Sequence, residues 1–303
     1  MDYIISSNFD GCTVKDFLQK ELKLSRKMIT RLKNIDFGIV LNENKVTVRA
    51  VLHTNDRLSV SIDFESKPSN EILPVNLPLE ILYEDDHYIA INKPPHMPTH
   101  PSHNHRDDTL ANALSYIYST QNKPFVFRAV NRLDRDTSGI VIFAKNADAA
   151  HRFANLQKNK QIQKYYLAVA NGYCDESGTI EGYIRRKEKS IIIREFSKTK
   201  EHDDAAYSLT EYKTIATGDG ASLLELLLHT GRTHQIRVHL QSIGHYILGD
   251  DLYGESNGVS RQMLHAYRMS FIHPYTKTEV TIKADIPKDI HLILAKKGIE
   301  YEL

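Results

Sequence analysis

Cysteine is scarce in this chain: Cys12 and Cys174 are its only two. They lie far apart with no C-x-x-C spacing, which argues against a disulfide framework and against a thiolate metal site. A cytoplasmic protein is the expectation. Long apolar runs are missing as well. The richest stretches, residues 140–144 and 223–228, the latter interrupted by Glu225, fall far short of the roughly 20 residues a membrane span needs. The first ten residues are mixed and carry no apolar leader of the secretory kind. Charge of one sign is also lacking, with 39 Lys and Arg against 38 Asp and Glu. Any contact with nucleic acid must therefore come from local clustering rather than from a basic chain.

What is present is the composition of an ordinary globular protein, 41% hydrophobic and 25% charged over 303 residues, enough for one large domain and a small one. Residues 1–66 read as the small one. Apolar periodicity predicts helices over 14–21 and 25–33, followed by short strands near 39–41, 45–48 and 57–62. Ser25 stands where an N-cap would open the second helix, whose apolar face is Met28, Ile29 and Leu32. The opposite face carries Arg26, Lys27, Arg31 and Lys33, and residues 10–62 hold ten basic against six acidic side chains. A lysine-rich solvated face has the same pattern, so charge alone leaves that reading open. Residues 67–78, with prolines at 68, 74 and 78, lack periodicity and read as a linker.

From residue 79 to 303 short apolar strands alternate irregularly with a few helices, notably 109–118 and 148–159. The pattern predicts an α+β domain with a mixed, largely antiparallel sheet. Two polar segments interrupt it. The first, Asn131-Arg132-Leu133-Asp134-Arg135-Asp136-Thr137-Ser138-Gly139, sets a carboxylate between two arginines at the entrance to an apolar strand. The second, about a hundred residues on, is Gly231-Arg232-Thr233-His234-Gln235-Ile236-Arg237-Val238-His239.

Together these resemble the R-L-D-x-x-T-S-G and G-R-T-H-Q-I-R-x-H motifs of the RluA-type RNA pseudouridine synthases. Glu84-Asp85-Asp86 with Ile91-Asn92-Lys93-Pro94-Pro95 is similar to the family's opening segment, and Lys164-Tyr165-Tyr166-Leu167-Ala168-Val169 to its K-x-Y strand. Gly249-Asp250 to Gly254, with Arg261-Gln262-Met263-Leu264-His265-Ala266, resembles its closing run, so the likeness spans roughly residues 80–285. The basic module resembles the S-four-type RNA-binding module that often precedes the catalytic domain in this family.

The resemblance implies an isomerase that breaks the bond between ribose and uracil, turns the base and rejoins it through carbon 5, without cofactor or metal. It implies Asp134 as nucleophile, which requires an ionised and immobile carboxylate. Arg237 is implied as its partner, keeping Asp134 charged and fixing it through a bidentate fork. Tyr166 would face the base, Ile236 would be an apolar wall, and Lys164 would meet phosphate. Because a stacked uridine must be extruded to react, Arg132 would fill the gap it leaves, with a surface ion pair to Asp136 as the plainer alternative. Where the family carries histidine before R-L-D, this chain has Asn131, which hydrogen-bonds but holds no proton near neutral pH. The histidines at 96, 100, 103 and 105 sit in a proline-rich extended loop with no ligand spacing, so loop structure and RNA contact are expected there rather than metal. The expected partner is RNA, ribosomal in preference to transfer RNA, and the expected state a monomer without an obligate protein partner. Two other readings stay open at this point: an RNA-binding protein without turnover, and a glycosidase that releases the base.

Overall fold

The computed structural model describes residues 2–24, 26–61, 72–255 and 258–302. Ser25 and residues 67–71 of the expected linker lie outside the described residues, as do the side chains of Lys27 and Arg31. Among the described residues no helix is long and apolar enough to cross a membrane.

The N-terminal part is a four-stranded antiparallel sheet of β1 (Asp2–Ile4), β2 (Ile39–Leu41), β3 (Asn44–Lys45) and β4 (Arg57–Val60), ordered β1-β4-β2-β3, with helices α1 (Val14–Lys20) and α2 (Arg26–Lys33). Helix α1 opens on a capping box: Thr13 Oγ1 accepts from the Asp16 N–H at 3.1 Å while the Asp16 carboxylate accepts from the Thr13 N–H at 3.3 Å. Met28, Ile29 and Leu32 of α2 are buried with Phe17 and Leu18 of α1, and Arg26 and Lys33 are exposed. This is the amphipathic arrangement that the residue pattern predicts. Strand β1, only three residues long, has no sequence signal of its own.

The remaining ten strands form one sheet: β5 (Glu80–Glu84), β6 (Tyr88–Lys93), β7 (Ser138–Ala144), β8 (Ile162–Asn171), β9 (Ser177–Arg186), β10 (Arg194–Ser197), β11 (Ala206–Gly218), β12 (Ala221–Leu228), β13 (Leu264–Ile272) and β14 (Glu279–Lys283). The order is β10-β9-β11-β12-β8-β13-β7-β6-β5, with β14 beside the second half of β13. Among the described residues every strand pairing is antiparallel except β7 with β13, where Ser138 and Gly139 run parallel to His265 and Ala266. Helices α3 (Leu110–Thr120), α4 (Ala147–Lys158), α5 (Gln235–Ser242) and α6 (Lys288–Lys296) complete the domain.

The unbroken apolar runs of β6 and β7 follow from their place between helices. Ile89, Ile91, Val141 and Phe143 pack with Leu110 and Leu114 of α3. The alternate residues Tyr88, Ala90, Ile140 and Ile142 pack with Ala149 and Phe153 of α4. A strand buried on both faces has no polar alternation to show. Farther along the sheet, Ile236 and Leu240 of α5 and Ile290 and Leu294 of α6 join the core built on β8 and β12. Strands β7 and β13 approach closely because Gly139 has no side chain: a Cβ there would lie 2.2 Å from the Ala266 carbonyl oxygen.

Candidate active site

Asp134 sits in the polar turn that leads into β7, and the turn is held from several directions. The Asp134 carbonyl accepts from the Thr137 N–H at 3.1 Å, closing the turn locally. Asn131 spans it at the base: its side-chain amide donates to the Ile140 carbonyl at 3.0 Å and its oxygen accepts from the Ile142 N–H at 2.8 Å. Both ends of this amide are thus engaged by the strand backbone, a structural use that the expectation of RNA contact did not include. Lys93, at the end of β6 and fully buried, donates to the carbonyls of Arg135 at 2.8 Å and of Pro94 and Met97 at 2.9 Å each. Three carbonyls match the three donors of an ammonium. Burial works against that charge and pushes the Lys93 pKa down to about 7.

The carboxylate meets α5. His234 adopts the left-handed conformation (φ +57°) just ahead of the helix, and one turn in, Arg237 donates from Nη1 to Asp134 Oδ2 at 3.2 Å. The fork expected on Asp134 is formed with another residue. Arg237 Nε and Nη2 donate to the two oxygens of Asp250, each at 2.7 Å, leaving one prong for Asp134. Asp250 is fully buried and also accepts from the backbone N–H groups of Leu252 and Tyr253 at 3.1 and 3.2 Å. Burial alone disfavours the Arg237 charge, but the hydrogen bonds and negative charge of Asp250, then of Asp134, outweigh it and raise its pKa. The sequence places Asp250 in the closing run without suggesting a role; the available signal was the carboxylate pair Asp250-Asp251 after a glycine in a segment otherwise largely apolar. His234 Nε2 stands 3.8 Å from Asp134, and Nδ1 meets the Tyr253 hydroxyl at 2.9 Å. Burial lowers the imidazole pKa against the pull of Asp134, so this ring is neutral at pH 7.

Around Asp134 opens a cavity of about 700 Å³, within the range of small-molecule sites. Tyr166, Lys164, Ile236, Arg132 and Asn131 all line it, together with Arg237. Tyr166 and Ile236 are buried, and burial raises the tyrosine pKa, so its hydroxyl keeps its proton. Lys164 is half-buried and its pKa is lowered by that burial. Arg132 is exposed and has no ion pair among the described residues. The alternative ion pair of Arg132 with Asp136 does not form: Asp136 is taken by Arg135, at 3.0 and 2.9 Å, and by His96 at 2.9 Å. His105 pairs with Asp108 at 2.6 Å, and both His100 and His105 line the cavity. Arg26 and Lys33 do not line it; they lie on α2.

Comparison with known proteins agrees with this geometry. The family described as RNA pseudouridylate synthase matches residues 87–242, and the one described as RluD ribosomal pseudouridine synthase N-terminal domain matches residues 1–58. The chain is 36% identical over 284 residues to an uncharacterized RNA pseudouridine synthase, YjbO, of Bacillus subtilis, covering 93% of this chain and 98% of that one. It is 34% identical to ribosomal large subunit pseudouridine synthase D of Zymomonas mobilis, covering 89% of each. Among solved structures, human RNA pseudouridylate synthase domain containing 1 superposes with a TM-score of 0.57 at 25% identity, over 75% of this chain and 97% of that one. With the two motifs brought into one cavity and relatives matched over nearly their whole length, the chain belongs to the RluA-type RNA pseudouridine synthases, isomerases that convert uridine to pseudouridine in RNA.

Proposed function

We propose that this protein isomerises specific uridines of ribosomal RNA with Asp134 as the nucleophile, acting as a cytoplasmic monomer. The observation that carries the reading is the single Arg237 prong on Asp134 at 3.2 Å beside a cavity walled by Tyr166 and Ile236. A carboxylate so held is fixed in orientation and open on one side to a ligand. Asp134 attacks the nucleotide to form an adduct, the bond between ribose carbon 1 and uracil nitrogen 1 breaks, the base turns, carbon 5 bonds to the ribose, and the bond to Asp134 breaks to free the carboxylate. The proton on carbon 5 then leaves to solvent while nitrogen 1 takes one up, so no atom is gained or lost overall. The Tyr166 ring offers a stacking face to the extruded base, and its protonated hydroxyl stands by the carbon 5 position. Arg132, with no carboxylate holding it among the described residues, takes the space the uridine vacates, where its planar guanidinium stacks on neighbouring bases. Ribosomal RNA is favoured because the N-terminal match and several relatives carry ribosomal names and because α2 presents Arg26 and Lys33 to solvent.

The test is tritium release from ribosomal RNA labelled at uracil carbon 5, prepared from cells lacking this protein, with wild type and Asp134→Ala side by side. Release by the wild type alone, without free uracil, is expected. Substantial release by Asp134→Ala would remove the aspartate from its role, and free uracil would mean a glycosidase instead.

A further inference from the structure

Arg261 lies outside the cavity, fully buried, and its guanidinium, which also donates to the carbonyls of Gln262 and Leu264, reaches the segment that follows Asp134. Nη1 donates to the Asp136 carbonyl at 3.0 Å and Nη2 to the Ser138 hydroxyl at 3.3 Å. The neighbouring Gln262 donates to the Thr137 hydroxyl at 3.2 Å. The backbone of Arg261 reaches the other half of the site. A Cβ on Gly249, which is at φ +77°, would lie 2.0 Å from the Arg261 carbonyl oxygen, and Gly249 directly precedes Asp250, the forked partner of Arg237. One residue is thus wedged between the loop carrying Asp134 and the segment that aims Arg237. It is held by a carboxylate from the last helix: Arg261 Nε and Nη2 donate to Asp289 of α6 at 2.6 and 3.0 Å. Burial alone would raise the Asp289 pKa, but the Arg261 bonds and charge outweigh it and keep the group ionised.

We propose that Arg261 and Asp289 form a positioning pair for the isomerisation, setting the alignment of Asp134 with Arg237 without touching the substrate. The proposal rests on the reading of Asp134 as the nucleophile. If the pair only held α6 to the domain, its loss would lower the melting temperature and leave the chemical step alone. If it positions the site, a displacement well below that needed for unfolding is enough to slow the reaction, since a misplacement of about 1 Å can lower a rate by about 10²-fold.

The experiment is a single-turnover measurement with enzyme in excess over carbon 5-tritiated ribosomal RNA from cells lacking the protein, well below each variant's melting transition. Asp289→Asn keeps the shape and removes the charge; Arg261→Lys keeps the buried charge and loses the fork, guarding against failure of the first variant to fold. Both are expected to lose roughly tenfold or more in rate with filter-binding affinity for the same RNA within about twofold. Asp289→Glu, which restores the carboxylate, is expected to regain part of the lost rate. Wild-type single-turnover rates in folded Asp289→Asn and Arg261→Lys, alongside an inert Asp134→Asn, would overturn the positioning pair alone. Turnover by Asp134→Asn would instead remove the nucleophile reading on which it stands.

Discussion

Asp134, Arg237 and Asp250 form a row of charges in which the middle guanidinium is divided unequally. The fork on Asp250 fixes the plane of Arg237, and the remaining prong reaches Asp134, so the arginine can stay oriented whatever happens to the charge on Asp134. Asp250, fully buried, depends on that fork. Arg237→Met should therefore leave an uncompensated buried carboxylate and lower stability by about 3–5 kcal/mol, read from urea unfolding, besides abolishing tritium release. A loss well under 1 kcal/mol would mean that Asp250 is satisfied by the Leu252 and Tyr253 N–H groups alone. At this scale the motif carriers were legible: Asp134, Tyr166, Ile236 and Arg237 come together around one cavity. Asp250, His234 and Lys93 were not given their partners by sequence, because the need of a buried polar group for a counterpart is visible only once its burial is known.

Among the elements, those with a clear apolar stripe or run were legible, including α1 to α4 and the strands around the two motifs, to within about two residues at their ends. Helix α5 was not. Six consecutive residues from Gln235 to Leu240 are buried, three of them polar, so the segment shows no period of 3.6. Its polar members are satisfied internally: the His239 ring meets the Thr210 and Ser208 hydroxyls at 3.0 and 2.9 Å. The parallel contact of β7 with β13 was equally hidden, since nothing in either strand announces its neighbour. Gly139 is the residue on which that contact turns. Gly139→Ala would force the strands apart, and overpacking with a positive φ is expected to destabilise by about 3 kcal/mol. The urea midpoint should fall and tritium release with it; an unchanged midpoint would show that the strands can separate freely there.

For the molecule as a whole, two buried histidines contribute to acid sensitivity. Burial lowers the pKa values of His239 and His265 to about 4, against about 6.5 unfolded. Between those values the unfolded chain binds more protons than the folded one, so unfolding is favoured as pH falls. The stability these neutral rings contribute is complete above about pH 6.5 and lost on descending to about 4, roughly 3 kcal/mol each. Urea titrations across this window should show the decline, and it should be smaller for His239→Asn than for the wild type. An equal decline would place the titrating group elsewhere. The N-terminal module carries its own prediction: removing residues 1–66 should weaken RNA binding and flatten its dependence on salt, by about one unit of slope for each phosphate that the module neutralises. Affinity and slope unchanged by the deletion would end the assignment of Arg26, Lys27, Arg31 and Lys33 to RNA.

The lone parallel pairing also bears on synthesis. Asp134 and β7 leave the ribosome early, while their neighbours β13, Arg261 and Asp289 follow more than 100 residues later, on the order of ten seconds at the usual pace of translation. Until Arg237 is made, the nascent loop carrying Asp134 has Lys93 and Asn131 to hold it but neither that arginine nor the last helix. With α5, Arg261 and α6 all needed around the Asp134 loop, the site is assembled only after these later elements have been made.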